Sequence, residues 1–293
     1  SNILDGGSGN DNLTSRSLSG NHTLLGGTGN DNLKATGLIL NLDGGEGADN
    51  LNINGGLNVG GSTQYVQGGV ATLNGGTGDD YLNAEYYSTA ELRGGADNDY
   101  LGTGNVKDAL LYGEAGDDNL YANIYGYYTQ YTDGNERLPQ SAYLDGGDGN
   151  DNLTIGGSIY FYHGRTTATA IGGLGDDTIS VTNTNSDSNS GFTSVTVDGG
   201  SGNDRITVAG SFSTSITTGT GSDTIVLTAA QYRKLLVGAQ LISNPDGTTT
   251  AITPEPFLIT DFTTGSGGDV IDYGDLLRNA TTAYDGSNPF STG

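Results

Sequence analysis

The chain has no cysteine, methionine or tryptophan, only 5 prolines and 2 histidines, and 10 Lys or Arg against 34 Asp or Glu in 293 residues. Each shortage excludes something. Without cysteine there is neither a disulfide framework nor a thiolate metal site. No run approaches the ~18 consecutive apolar residues of a membrane span. No N-terminal signal peptide is visible. A net charge of −24 repels the phosphates of nucleic acid, which excludes that partner. Hydrophobic residues are 33% of the chain, and low hydrophobicity with high net charge is ordinarily the composition of disorder. A folded state therefore needs something outside the sequence to offset the charge. The opening "SNILDGG", with no initiating Met, predicts a segment of a longer protein.

What is abundant is glycine, at 52 residues, more than twice the usual share. Much of it falls in ten related hexapeptides, such as "GGSGND", "GGTGND" and "GGDGND". The sixth residue is always aspartate: Asp11, Asp31, Asp49, Asp80, Asp99, Asp118, Asp151, Asp177, Asp204 and Asp223. Two residues after it comes an aliphatic: Leu13, Leu33, Leu51, Leu82, Leu101, Leu120, Leu153, Ile179, Ile206 or Ile225. Two residues before each motif comes another, from Leu4 and Leu24 to Val197 and Ile216, of which only Ala170 is small. Alternation continues outward, as in Ile179/Val181 and Ile206/Val208. Period two with one apolar face reads as a β-strand. The unit is strand, Gly-rich turn, strand, with strands of about four to six residues.

Successive motif aspartates are 20, 18, 31, 19, 19, 33, 26, 27 and 19 residues apart. The recurrent 18–20 suits one flat coil of two strands and two turns. A strand that returns to the same place once per coil pairs in parallel with its predecessor, with a rise of ~4.8 Å. The expected fold is all-β: a right-handed parallel β-roll or β-helix solenoid with its Gly-rich turns mainly along one edge. The long intervals predict insertions on the other edge, at about residues 55–69, 123–141, 182–192 and 209–214. An extra half-coil in an interval of 26 or 27 residues would move a turn to that other edge.

Stacking the coils also stacks the aspartates, and a file of carboxylates ~4.8 Å apart repels itself once water is partly excluded. A cation between each pair removes the repulsion. Calcium takes six to eight oxygen ligands in flexible geometry from carboxylates and carbonyls, whereas magnesium tolerates irregular carbonyl cages poorly. Glycine permits the positive φ that turns carbonyls toward a common centre. Nine ions would add about +18 to the charge.

The motif resembles the GGxGxDxUx repeat of RTX proteins, with U a large aliphatic, over about residues 4–227. The resemblance implies a calcium β-roll in which the ten sixth-position aspartates and turn carbonyls hold multiple Ca²⁺ ions. Three turns depart from the pattern: Asp97 replaces the fourth-position Gly, Glu114 the second, and Thr218 the first. Motifs in that family usually recur every nine residues on alternating edges. Here the spacing is about double, which predicts one main file of ions.

Past residue 227 the texture changes, dividing the chain into a roll (1–227) and a C-terminal region (228–293). "LTAAQYRKLL" (227–236) reads as a capping helix with Thr228 as N-cap. "FLITDFTTGSGGDVIDYGDLL" (257–277) resembles the C-terminal target region of proteins exported by type I secretion machinery, here truncated. The resemblance implies an extracellular or cell-surface location. Asp261, Asp269 and Asp272 read equally as one more ion site or as capping polar turns.

Catalytic motifs are scarce: there is no HExxH and no GxSxG. Each lone histidine reads as a surface residue. "IYFYHGR" (159–165) gathers Tyr160, Tyr162, His163 and Arg165, the residue types of polysaccharide lyases built on parallel β-helices. Tyrosines cluster at 85–93, 121–131 and 160–163. They read as packing over the edge away from the Gly-rich turns, or as a contact surface for glycans or a second copy. The leading functional reading is a non-catalytic calcium module of a bacterial surface protein, an S-layer or adhesin. The rivals are the export and folding tail of a secreted protease, lipase or epimerase, and a polysaccharide lyase.

Overall fold

A computed structural model of the chain describes residues 1–59, 62–65, 68–124, 140–157, 166–183, 192–209, 211–228, 240–243, 249–252 and 257–274. Two parallel sheets of eleven strands each dominate it. The leading sheet holds the strands that run into the Gly-rich turns, from Asn2–Ser8 to Phe257–Ile259. The trailing sheet holds those that leave them, from Asn12–Arg16 to Val270–Asp272. Within these two sheets successive strands pair in parallel, one coil on the next, which makes a parallel β-solenoid.

Side-chain alternation fixes the register. In the leading sheet Leu4, Leu24, Leu42, Leu73, Leu92, Leu111, Leu144, Ala170, Val197 and Ile216 face one another up the stack. In the trailing sheet the row runs from Leu13 and Leu33 to Ile206 and Ile225. Apart from Leu4 and Leu13 in the first coil, every member of both rows is at most 1% exposed. A slip of one residue would turn each row out to solvent, so burial of these aliphatics holds the coils in phase. A fully buried Leu contributes roughly 1.5–3 kcal/mol.

Several expectations are corrected. The leading strands are longer than six residues, as in Asn21–Thr28, because they continue through the first three residues of the motif. The turn proper is only the last three, such as Gly29, Asn30 and Asp31. The 26- and 27-residue intervals add no half-coil, since Gly147, Gly173 and Gly200 stay in register and all ten turns share one edge. Residues 209–214 are not an insertion: Arg205–Ala209 is followed at once by the regular strand Ser211–Thr217. The surplus of the 26-residue interval lies between Asn152–Gly157 and Thr166–Leu174. At 55–69 the insertion is a hairpin of Gly56–Val59 and Ser62–Tyr65. Most of 123–141, the middle of 182–192, the candidate helix from residue 229 on, and Tyr160, Tyr162, His163 and Arg165 lie outside the described residues.

His22 is not a surface residue. It is 4% exposed, occupies the inward position that Leu40 fills in the next coil, and contacts the Ser15 hydroxyl through Nδ1 at 2.9 Å. Tyr87 is wholly buried at the edge away from the Gly-rich turns, so there the packing reading of the tyrosine cluster holds. The C-terminal region adds to the same solenoid: Phe257–Ile259 and Val270–Asp272 extend the two sheets by one coil.

Asp97 and Glu114 stand where other turns have glycine and adopt the same left-handed backbone, each with φ of 79°. The stack dictates the path of the chain and the side chain bears the strain. A left-handed non-glycine residue costs roughly 1–2 kcal/mol. Asp97 recovers part of this through an exposed bond from the Gly78 N–H at 3.2 Å. Asp97→Gly is therefore expected to stabilise the fold by about 1 kcal/mol, read as a higher thermal midpoint. An unchanged or lower midpoint would show that the carboxylate matters more than the strain.

Candidate metal centre

The sixth-position aspartates point inward, at the edge of the core. Asp31, Asp49, Asp80, Asp99, Asp118, Asp151, Asp177, Asp204 and Asp223 are each 0–3% exposed. Each backbone N–H donates to Oδ1 of the next aspartate up the stack. Asp11 donates to Asp31 at 2.7 Å, and the ladder continues unbroken to Asp204, which donates to Asp223 at 2.8 Å. All ten residues singled out by the motif therefore lie in one file. One carboxylate oxygen per coil is satisfied. The other, Oδ2, is buried without a hydrogen-bond partner in all ten.

The glycines make room for that oxygen. The second and fourth motif glycines have positive φ, for example 110° at Gly27 and 116° at Gly29. The first glycine is needed for space instead. A Cβ on Gly6 would lie 2.7 Å from both Asp11 Oδ2 and the Gly26 carbonyl oxygen of the next coil. The equivalent Cβ on Gly26, Gly44, Gly75, Gly94, Gly113, Gly146, Gly172 or Gly199 would likewise collide with its own coil's Oδ2 and the carbonyl one coil on. Nine inter-coil gaps thus bring an unpartnered carboxylate oxygen and a backbone carbonyl to one small volume. A carboxylate oxygen and a carbonyl oxygen facing one space fit a hard cation. Among the described residues no three His, Cys, Asp or Glu side chains gather as a metal site. An ion in the file would take its other ligands from backbone carbonyls or water.

Electrostatics point the same way. Burial first, and then neighbouring aspartates, push these carboxyls up: Asp49, Asp118 and Asp204 to about 6, Asp80, Asp151 and Asp177 to about 7, and Asp99 to about 8. The N–H bond from the preceding coil only partly opposes the shift. Like charges ~4.8 Å apart repel by roughly 3–4 kcal/mol at an effective dielectric of ~20. The file needs protons or cations.

A second ladder runs outside the first, in the opposite sense. The fifth-position N–H of one coil donates to the fifth-position side chain of the coil before: Asn30 to Asn10, Asn98 to Asp79, Asp117 to Asn98, Asn150 to Asp117, Asp176 to Asn150 and Asn203 to Asp176. From Asp79 to Asn203, Asp and Asn alternate strictly. The exposed charges therefore sit two coils apart, about a Debye length.

At the last coil, Asp269 takes the ladder role and accepts the Asp223 N–H at 3.1 Å. Burial raises Asp261, but N–H donors from Thr218 and Gly219 outweigh it and hold the carboxyl below its ordinary value. Asp272 accepts from the Gly274 N–H and lies 3.7 Å from Arg205. Each of the three carboxylates thus has a backbone N–H donor. The Ser15–His22 contact is buried on both sides, with no acid on the histidine's other nitrogen, and is a packing contact.

Fold and site together define a parallel β-solenoid with an internal file of half-satisfied aspartates. No family model, curated protein or solved structure matches the chain.

Two outcomes follow for metal-free protein. Because the folded carboxyls bind protons more tightly than unfolded ones, they favour the fold when protonated, and that stability is lost as pH rises through about 6 to 8. In chelator the β signal should be greatest near pH 5 and fall across this window, where ordinary carboxylates have already ionised; a flat profile above pH 5 would count against it. Asp99→Asn keeps the acceptor for the Asp80 N–H and puts an NH₂ beside the Gly113 carbonyl. It should move upward the pH at which the metal-free protein loses its fold and lower the number of ions bound by one.

Proposed function

We propose that the chain is a calcium-binding extracellular module of the RTX kind, with a structural or adhesive role in a bacterial surface protein rather than a catalytic one. The observation that carries this reading is the set of ten buried, unpartnered carboxylate oxygens in one file. Each of the first nine faces a carbonyl across a gap kept open by glycine. Calcium suits such a file because it accepts carboxylate and carbonyl oxygens in irregular geometry. The chain's own residues position the oxygens, exclude water and keep the coils in register. The ion supplies the positive charge that a chain of net −24 lacks.

Folding and export are then linked. Where calcium is scarce, the ionised file opposes closure of the coils, and the chain stays extended enough to pass through type I secretion machinery. Outside, ion binding supplies folding free energy, because the paired coils that form the site do not exist in the unfolded chain. Each coil contacts only its neighbours, so occupancy of one gap favours the next. The repeat, the "GSGGDVID" segment and the absence of cysteine support this reading together.

Far-ultraviolet circular dichroism at neutral pH tests it. The β signal should largely vanish with a chelator and return on adding calcium, with little recovery on adding magnesium. Unchanged strand content after complete chelation would remove the proposal.

A further inference from the structure

Nine inter-coil gaps are lined by a glycine, and the tenth is not. At the first motif position of the tenth coil stands Thr218, wholly buried. Its hydroxyl donates to Asp261 Oδ1 at 3.0 Å and reaches Asp269 Oδ2 at 3.2 Å. The facing residue is Asp261, whose carboxylate also accepts the N–H of Thr218 at 2.7 Å and of Gly219 at 2.9 Å. The Asp269 carboxylate accepts from Asp223 N–H and Thr263 N–H. The Asp269 N–H, which would continue the ladder, turns back to the Thr263 carbonyl at 2.7 Å.

From this arrangement we infer that Thr218 terminates the cation file: the tenth gap takes no metal, and Asp223, although it carries the motif, is not a metal-holding residue. The inference rests on the proposed calcium file and adds where it stops. In the nine open gaps the two oxygens nearest the space are a carboxylate Oδ2 and a backbone carbonyl, so a cation is favoured. In the tenth, a side chain occupies the space that glycine leaves elsewhere, and N–H and O–H donors answer the Asp261 and Asp269 carboxylates. Positive charge there comes from hydrogen-bond dipoles. The Oδ2 of Asp223 is buried without a hydrogen-bond partner, while its Oδ1 serves Asp204 as in every other coil.

Calcium stoichiometry on dialysed, full-length chain tests the assignment, using elemental analysis with isosteric variants that keep the ladder bond. Asp204→Asn should lose one ion relative to the unaltered chain. Asp223→Asn should lose none. Thr218→Gly, which opens the gap, should gain one, and Thr218→Val, which keeps it filled, should gain none. If Thr218→Gly does not fold, the Asp204/Asp223 pair still decides. Loss of an ion from Asp223→Asn equal to that from Asp204→Asn overturns the assignment while leaving the calcium file standing. An unaltered chain that binds no calcium overturns both.

Discussion

The structure turns on a buried carboxylate that is satisfied on one oxygen only. In each coil the sixth-position aspartate accepts a backbone N–H through Oδ1 and leaves Oδ2 buried and bare. A single such group costs roughly 1–3 kcal/mol, more if charged. Ten in a file offset a large part of what burial of the aliphatic rows contributes. The apolar rows specify where each coil lies; on the proposed reading, the charge state of the file decides whether the coils close.

Glycine is the residue that makes this possible, for two different reasons within one motif. At the second and fourth positions it permits a left-handed backbone, and Asp97 and Glu114 show that other residues tolerate that conformation at a cost. At the first position it permits nothing conformational and provides an absence of atoms. That absence lets the carboxylate turn inward beneath the neighbouring coil's carbonyl. Thr218, the one residue to break the rule at the first position, falls where the solenoid ends its ladder.

Much of this was legible in the sequence, because a solenoid repeats its contacts at fixed intervals. The invariant aspartate and the flanking aliphatics sit in register at positions read directly from spacing, from Leu24 and Leu33 to Ile216 and Ile225. What was not legible depended on direction. Pattern alone does not say that Asp31 points into the core edge and not out of the turn, nor that Gly26 is there for room and not for φ. The burial of His22 is not legible because a single polar side chain carries no periodicity of its own, and only the register with Leu40 places it inside. The outer ladder left a signal that went unread: Asn or Asp fills the fifth position in eight of ten motifs, alternating from Asp79 to Asn203. Length fixes how many residues are extra but not between which strands they fall: the 26-residue interval carries its surplus after Asn152–Gly157, where none is expected, and 209–214 carries none.

The most direct measurement is a crystal structure grown with calcium, with anomalous difference density collected at long wavelength. The account predicts a column of peaks inside the Gly-rich edge, one per gap from Asp11 to Asp204, each bonded to an aspartate Oδ2 and to the carbonyl of the next coil. A well-ordered solenoid with no density between its coils, its carboxylates bare in saturating calcium at neutral pH, would contradict it.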